Sequence, residues 1–382
     1  MKISRRGFVK SAGFGTAAGL IGGSSIITSP VFAQSRADHM AGIFDRGEIH
    51  LNQNESGRGP GPKTLEAIKK YTNMRVGRGY SPDFVPELRD AIASRYNVNT
   101  NNVLLASGST WLLQGAVRAY CNADKPLVTA GPTFSTSEGT ARTIGAPIKQ
   151  IPLDKDAKLD LDGMVAVSQG AGLVYFCNPN NPSGTVHSPQ AIEKAVRAVL
   201  AASPDTHIHL DEAYIDYADP AKMQTALPLV KEFKNVFITR SFSKAHALAG
   251  MRIGYALGHE DTIREIGSAW GMGDVSMLSA VAALTAFEDI EHLEWEREEN
   301  TRVRNFTVSA LADLGFDTPE SHTNHIFPNM KQPASAVRAA CSPHKIIVGR
   351  DFPPLEHTHC RISLGSMEEM EAAVAVFRKV LT

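Results

Sequence analysis

Strand-like apolar runs alternate with helix-like runs between Val103 and Gly258. Such alternation is typical of an α/β fold, in which a mostly parallel sheet is covered by helices. Ligand sites in these sheets lie beyond the carboxyl ends of the strands. The polar residues that directly follow the apolar runs are therefore the best candidates for a functional site.

Lys244 follows one of these runs among small hydroxylated residues, Ser241 and Ser243, with Arg252 eight positions further on. A lysine that forms a Schiff base with a cofactor aldehyde needs this setting. Hydroxyls and a guanidinium hold the cofactor's phosphate while the amine reaches its carbonyl carbon. An exposed surface lysine is the ordinary alternative. We favour the first interpretation because three distant segments supply matching parts of one site.

Asp211 and Tyr214 follow the apolar run 206–210, and Asn181 lies in the turn-rich segment 178–184. A carboxylate at the end of a buried strand can pair with a pyridine nitrogen and keep it protonated, so that the ring becomes an electron sink. The phenol and the amide could both bind an oxygen on that ring. A strand-end acid, a packed tyrosine and a plain turn are the structural alternatives.

Residues 107–110 join the strand-like run 103–106 to a helix that we expect to end near Tyr120. Small residues leave the first N–H groups of that helix open, and these groups, with the helix dipole, attract an anion such as phosphate. Serine and threonine also cap many helices, which is the simpler explanation. Taken together, the four segments supply the parts of a pyridoxal phosphate (PLP) site.

These segments resemble the fold type I aminotransferases of class I and II, in particular the histidinol-phosphate aminotransferase branch. The resemblance extends from about Leu51 to the C-terminus and includes residues 54–55, 78–80 and 360–365. It implies a large PLP-binding domain with a mostly parallel sheet and a smaller C-terminal α/β domain. It also implies a homodimer with shared active sites, in which Tyr80 reaches the phosphate of the neighbouring subunit.

The resemblance assigns a role to each candidate residue except Arg58 and Arg350, whose roles are inferred from their charge and place in the sequence. Lys244 carries the cofactor and, with Asp211 and Tyr214, forms the catalytic set. The cofactor-binding set is Gly108, Ser109, Thr110, Phe134, Asn181, Asp211, Tyr214, Ser241, Ser243, Lys244, Arg252 and Tyr80. The substrate-binding set is Arg361, Arg58, Asn54 and Arg350.

Three arginines are expected to bind acidic groups of the substrate. Arg361 would hold the α-carboxylate, because a guanidinium binds both carboxylate oxygens. Arg58 stands where relatives carry an apolar or aromatic residue, which suggests a substrate with an extra negative charge. A solvent-facing loop arginine is an equal alternative there. Arg350 is expected to face the distal end of the substrate.

Residues 1–33 have the pattern of a signal peptide. Arg5 and Arg6 precede a small apolar stretch with a small-residue end at Ala33, and no acidic residue occurs before Asp38. Paired arginines indicate the twin-arginine export route. The apolar stretch is too short and too rich in glycine and serine for a membrane span. We therefore expect a bacterial periplasmic enzyme; an amphipathic helix of a cytosolic enzyme is the alternative.

The chain is predicted to have four parts: the signal peptide 1–33, a linker and N-terminal arm 34–75, the large domain 76–272, and the small domain 273–382, which packs with the arm.

The formal net charge of the full chain is −1. Removal of the signal peptide removes four basic residues and makes the mature chain more acidic. That mild acidity argues against nucleic acid or an anionic membrane as a partner of the mature form. Histidine pairs at 207/209 and 357/359 lack a convincing ligand set, so no metal is expected.

The expected activity is transfer of an amino group between an amino acid, or a metabolite derived from one, and a 2-oxo acid. Histidine biosynthesis belongs in the cytoplasm, so an exported relative is expected to use another substrate, for example a glutamyl group of a siderophore. A histidinol-phosphate-type aminotransferase and a PLP lyase or decarboxylase are the alternatives. A non-catalytic PLP-binding protein is disfavoured by the intact Lys244, Asp211 and Arg361 set.

Overall fold

The protein is represented by a computed structural model, which describes residues 47–73, 76 and 84–381. The predicted signal peptide and most of the linker, together with Tyr80, lie outside the described residues. The strands are β1 (Ile49–Leu51), β2 (Val103–Ala106), β3 (Leu127–Gly131), β4 (Ile148–Pro152), β5 (Leu173–Cys177), β6 (His207–Asp211), β7 (Val236–Ser241), β8 (Gly254–Leu257), β9 (His325–Ile326), β10 (Ile346–Val348) and β11 (Ile362–Ser363).

Twelve helices accompany these strands among the described residues. They are α1 (Pro62–Tyr71), α2 (Val85–Tyr96), α3 (Ser109–Tyr120), α4 (Thr136–Thr143), α5 (Leu161–Ala166), α6 (Pro189–Ala202), α7 (Leu227–Glu232), α8 (Glu260–Ala269), α9 (Met277–Glu288), α10 (Ile290–Asp313), α11 (Ala334–Cys341) and α12 (Met367–Val380). None of the described helices is long and apolar enough to cross a membrane.

In the described part of the chain, seven strands form the main sheet in the order β2-β8-β7-β6-β5-β3-β4. Of these seven described strands, only β8 runs antiparallel to its two neighbours. Every residue of β3, β5 and β7 is buried, as expected when helices cover both faces of a parallel sheet. The predicted α/β class with a mostly parallel sheet is confirmed.

The carboxyl ends of the parallel strands meet at one edge of this sheet. β2 ends at Ala106, β5 at Cys177, β6 at Asp211 and β7 at Ser241. The segments that were singled out in the sequence directly follow these ends. The crossover topology therefore brings residues more than 100 positions apart to the same edge.

A second hydrophobic core lies outside the main sheet. It includes Leu51 of β1, Val303 of α10 and Phe377 of α12. β1 pairs in parallel with β10, so the arm residues 49–51 belong to this smaller core. α9 packs instead with the core of the main sheet. The domain boundary at 272/273 stays a prediction.

α9 and α10 are separate helices: α9 ends at Glu288 and α10 begins at Ile290, with Asp289 between them. Within the segment 360–365 only Ile362–Ser363 forms a strand, β11, which pairs antiparallel with β9. Arg361 consequently lies just before the strand.

Candidate active site

A cavity of about 440 Å³ lies at the carboxyl edge of the main sheet. It is lined by residues of the arm, of five strand ends and of the smaller core. The predicted residues among its lining are Asn54, Ser109, Thr110, Phe134, Asn181, Asp211, Tyr214, Ser241, Ser243, Lys244, Arg252, Arg350 and Arg361. The structure thus brings most of the predicted site into one cavity.

Lys244 follows β7 and points its amine toward the arm. Nζ donates a hydrogen bond to the backbone oxygen of Asn54 at 3.1 Å and lies 5.5 Å from the centre of the Tyr214 ring. Burial, followed by the nearby Arg361 guanidinium, lowers the pKa of Lys244 to about 8. At pH 7 about one tenth of this amine is therefore unprotonated, far more than for an exposed lysine.

Asp211 is the last residue of β6, and three hydrogen-bond donors fix its carboxylate. Tyr175 donates to Oδ2 at 2.8 Å, while the Thr239 hydroxyl and the Ala213 N–H each donate to Oδ1 at 3.2 Å. These donors favour the charged form, but burial outweighs them and raises the pKa of Asp211 to about 6. The carboxylate is ionised at neutral pH and fixed in orientation.

A buried histidine extends this arrangement. Nε2 of His209 lies 2.8 Å from the Thr239 hydroxyl oxygen. Because the single hydroxyl proton of Thr239 is donated to Asp211, Nε2 must carry the proton in the bond from His209. Burial lowers the pKa of His209 to about 3, so the ring is neutral and adds no charge near the carboxylate.

The first turn of α3 faces the Arg252 side chain across Gly108. A Cβ at position 108, where φ is +91°, would collide with the Arg252 guanidinium. Gly254 of β8 likewise leaves room for the helix, because a Cβ there would come within 2.7 Å of the Ser109 nitrogen. The open N–H groups of α3 and the guanidinium therefore converge on one point, which suits a phosphate.

Tyr214, Asn181 and Asn54 form one hydrogen-bonded cluster. The Tyr214 oxygen accepts from the amide of Asn54 at 2.9 Å and from that of Asn181 at 3.5 Å. In the described part of the chain no acceptor is found for the phenol proton itself. This proton is available for a bound ligand, next to the Asn181 amide, as the sequence predicted for a shared ring oxygen.

Arg361 is 7% exposed and reaches the cavity from the smaller core. Nη1 donates to Asn181 Oδ1 at 2.8 Å, and Nη2 donates to the backbone oxygen of Asn52 at 2.6 Å. Nε has no hydrogen-bond partner among the described residues. Burial lowers the pKa of Arg361 to about 10, so the guanidinium remains charged, and it has no carboxylate partner among the described residues.

Arg350 lies at the exposed mouth of the same cavity. Its guanidinium carbon is 4.2 Å from the centre of the Phe352 ring, and that of Arg361 lies 4.9 Å from the same ring. Nη2 donates to the Ser135 hydroxyl at 3.3 Å. The two guanidiniums therefore flank a single aromatic ring, one buried and one open to solvent.

The expectation for Arg58 was wrong. Its guanidinium forms two hydrogen bonds of 2.7 Å with the Glu296 carboxylate and donates to the Gly365 oxygen at 3.0 Å. Glu296 is fully buried and also accepts from the Tyr217 hydroxyl. A buried carboxylate requires a counter-charge, and it holds Arg58 outside the cavity lining.

Gly108 is not itself part of the cavity lining, although it supports Arg252 as described above. Asn54 lines the cavity, but its side chain is already bonded to Tyr214, His325 and Ser363. It positions neighbouring groups and has no free donor for a substrate. Tyr80 cannot be placed because it lies outside the described residues.

Sequence reasoning missed several groups that hold the site together. Tyr175 and Thr239 lie inside buried strands, where their side chains looked like ordinary packing residues. His325 contacts the Tyr214 ring edge-on, with the ring centres 5.1 Å apart, and lies 3.0 Å from the Asn54 amide. Side chains two positions apart point to the same face of a strand, so Tyr175 shares a face with Cys177 and Thr239 shares one with Ser241. This spacing was the one signal in the sequence that could have identified Tyr175 and Thr239.

The cavity fits a pyridine ring that carries a phosphate. Its charged lining residues are four cationic side chains, Lys244, Arg252, Arg350 and Arg361, and two carboxylates, Glu55 and Asp211. Excess positive charge suits an anionic ligand. Asp211 offers an ionised oxygen to a ring nitrogen, and the space preserved by Gly108 suits the phosphate.

Comparison with known proteins agrees with this geometry. The family model for "Aminotransferase class I and II" matches residues 46–377. Histidinol-phosphate aminotransferase of Gluconacetobacter diazotrophicus is 32% identical over 338 residues, covering 87% of this chain and 92% of that protein. Its counterpart in Staphylococcus carnosus is 31% identical over 336 residues, covering 87% and 90%.

Among solved structures, histidinol-phosphate aminotransferase from Sinorhizobium meliloti in complex with pyridoxal-5'-phosphate is similar to this chain. The TM-score is 0.80 at 27% sequence identity, and the match covers 94% of this chain and 98% of that one. Both the sequence match and the fold therefore extend over the whole described catalytic region. This chain belongs to the class I and II aminotransferases and is a PLP-dependent enzyme of fold type I.

Proposed function

We propose that this aminotransferase acts in the periplasm on an amino acid, or a metabolite derived from one, that bears a second acidic group. A glutamyl group of a siderophore is the substrate class that we favour, with a 2-oxo acid as the acceptor. The observation that carries this proposal is the pair of guanidiniums, Arg350 and Arg361, in the cavity that also contains Lys244.

Two acid-binding groups at different depths favour a substrate with two acidic ends. The buried Arg361 has an open Nε and suits the α-carboxylate, which must stay fixed during the reaction. The exposed Arg350 suits a distal carboxylate of a larger molecule, whose remainder extends into solvent. A guanidinium binds a carboxylate in a planar, bidentate geometry, so each arginine adds orientation as well as affinity.

The remaining roles follow from the same contacts. When bound, PLP supplies an electron sink for the charge that develops at the substrate α-carbon. Lys244 would hold the cofactor through its amine, and this amine would accept and return the α-proton of the substrate. Asp211 would face the pyridine nitrogen in its ionised form. Tyr214 and Asn181 would bind the ring oxygen, while Arg252, Ser241, Ser243 and the N-terminus of α3 would bind the phosphate.

Export is proposed from residues 1–33, whose paired arginines, apolar stretch and small-residue end have the twin-arginine pattern. This route carries folded proteins, which suits an enzyme that must acquire PLP before it leaves the cytoplasm.

We further propose a homodimer in which Tyr80 reaches the neighbouring subunit's phosphate. Sedimentation at the mass of one subunit would exclude that arrangement.

Two alternatives keep the same cofactor site. A histidinol-phosphate-type activity is favoured by the relatives, and Arg350 could equally bind a phosphate end. A lyase or decarboxylase would differ only in which substrate bond is broken. Release of carbon dioxide or ammonia in place of a 2-oxo acid would identify it.

Lys244→Ala should lower turnover by at least about 10³-fold, because the proton carrier is lost. Borohydride treatment of the wild-type holoenzyme should fix the cofactor on the peptide that contains Lys244, as read by mass spectrometry. Lys222→Ala, at an exposed position, is the control and should keep full activity. Turnover retained in Lys244→Ala, or label on another lysine, contradicts the assignment.

Thr239→Val should raise the pKa of Asp211 by about one unit, since a hydrogen bond to a charged group is lost. PLP affinity should then fall by about fivefold at pH 6 and hardly at all at pH 8, where the carboxylate stays ionised. Equilibrium dialysis across this pH range measures the change.

Thr129→Val is the matched control for that experiment, because Thr129 is an equally buried strand threonine whose hydroxyl contacts only a backbone oxygen. Equal pH profiles for the two variants would show that the Thr239 hydroxyl does not support Asp211.

Purified mature enzyme should prefer glutamate-bearing precursors over both alanine and histidinol phosphate as amino donors. Arg350→Gln should raise KM for the glutamyl donor by about tenfold, the typical loss for a charge-assisted hydrogen bond, and should leave alanine unaffected. Measuring the 2-oxo product distinguishes transamination from lyase chemistry. Preference for histidinol phosphate would refute the proposed substrate class.

Replacing Arg5 and Arg6 together by lysine should retain the protein in the cytoplasm, while Lys10→Arg should leave its export unchanged. Cell fractionation with an antibody to the mature chain measures both outcomes. Wild-type protein that stays uncleaved in the cytoplasm of an export-competent host would rule out the periplasmic location.

A further inference from the structure

A second cavity, of about 720 Å³, shares no lining residue with the active-site cavity. One wall is a face of α10. The opposite walls are the short segments 217–220 and 318–322. Its volume exceeds that of the active-site cavity, so a molecule larger than a single water or ion can enter.

Buried polar atoms in this cavity lack partners. Arg304 Nη1, Thr318 Oγ1 and His322 Nδ1 have no hydrogen bond to any described residue. His322 is only 5% exposed, and its Nε2 lies 3.3 Å from the Glu320 carboxylate. Buried polar groups in native proteins are nearly always satisfied, by protein, by water or by a ligand. Several such atoms in one cavity are therefore available to water or to a polar ligand.

The guanidinium of Arg304 is the strongest of these groups. Nη2 donates to the Thr301 hydroxyl at 3.3 Å, but Arg304 forms no ion pair with a described acidic residue. Burial lowers the pKa of Arg304, and the acids near it do not restore the usual value. Asp219 and Glu320 act on this cation only from a distance, and a ligand carboxylate in direct contact would compensate the cost of its partial burial.

Acidic residues occupy the rim. Asp219, Glu298 and Glu320 line the cavity and are exposed, and Arg297 is a second cation in the lining beside Arg304. They oppose the entry of a simple anion, because they add negative potential at the mouth. The same carboxylates would attract an ammonium group. The cavity is therefore complementary to a molecule with a carboxylate at one end and an ammonium group at the other.

We infer that this cavity, which we call the α10 cavity, binds a short zwitterionic peptide or a similarly charged amino-acid derivative. Arg304 binds the terminal carboxylate and the rim acids bind the amino group. This site is distinct from the catalytic cavity and does not depend on the substrate proposed above. The size of the cavity favours a molecule of a few residues over a single amino acid.

The α10 cavity is also connected to the active-site wall. The His322 N–H donates to the Gly184 oxygen at 2.8 Å, and a Cβ on Gly184 would collide with the Ser321 side chain. Gly184 ends the segment that contains Asn181, which binds Arg361. The walls of the two cavities therefore meet at this loop.

Binding of small probes to the holoenzyme tests the inference. Triglycine has both charges, N-acetyltriglycine lacks the ammonium group, and triglycinamide lacks the carboxylate. Triglycine should bind at least about tenfold more tightly than either blocked form and than inorganic phosphate, because each lost charge removes a charge-assisted contact. Isothermal titration calorimetry measures the affinities.

Three variants, one of them a control, locate the binding. Arg304→Gln should weaken triglycine binding by about tenfold or more, whereas Arg302→Gln should not, because Arg302 lies on the same helix but pairs with Glu299 outside the cavity. Glu298→Gln, at an exposed position, should weaken triglycine but not N-acetyltriglycine. If Arg304→Gln fails to fold, the affinities of Glu298→Gln for triglycine and N-acetyltriglycine still test the inference.

Transaminase activity with a small donor should be unchanged in all three variants, which separates this site from the catalytic one. Equal binding of triglycine and N-acetyltriglycine would show a simple anion site and overturn the inference. Absence of triglycine binding, or equal affinities in the Arg304 and Arg302 variants, would overturn it as well.

Discussion

The active site depends on the hydrogen bonds that converge on Asn54. This arm residue has a left-handed backbone conformation (φ +55°) and is almost fully buried. Its side chain bonds to Tyr214 of the main-sheet region and to Ser363 of the smaller core, and its backbone oxygen accepts from Lys244 and Asn324. One residue thus fixes the arm, the main sheet and the smaller core relative to the reactive amine.

Burial acts in opposite directions on the two groups that the chemistry needs. It lowers the pKa of Lys244 to about 8 and raises that of Asp211 to about 6. The lysine becomes able to give up its proton near neutral pH, while the hydrogen bonds to Asp211 keep that carboxylate from being neutralised. A polar network behind the cavity is therefore as important to the site as the residues that line it.

Much of this arrangement was predictable, because the motif residues are local neighbours of strand ends. The strand 103–106 and the helix end at Tyr120 were placed correctly, and the apolar run 206–210 differs by one residue from β6, His207–Asp211. Arg58 was misplaced because its partner, Glu296, lies 238 residues away and gives no local signal. Tyr175 and Thr239 were overlooked for a related reason: a buried polar group on a strand is recognisable only when its acceptor on another strand is known.

The excess of cationic over acidic side chains in the active-site cavity links cofactor loading to folding. Without its anion, the chain must keep Lys244, Arg252 and Arg361 close together against their mutual repulsion. A ligand that binds only the native state adds about 2.7 kcal/mol to its stability at a concentration one hundred times Kd. For a protein that leaves the cytoplasm already folded, as proposed above, vitamin B6 supply before export would then decide how much of it survives proteolysis.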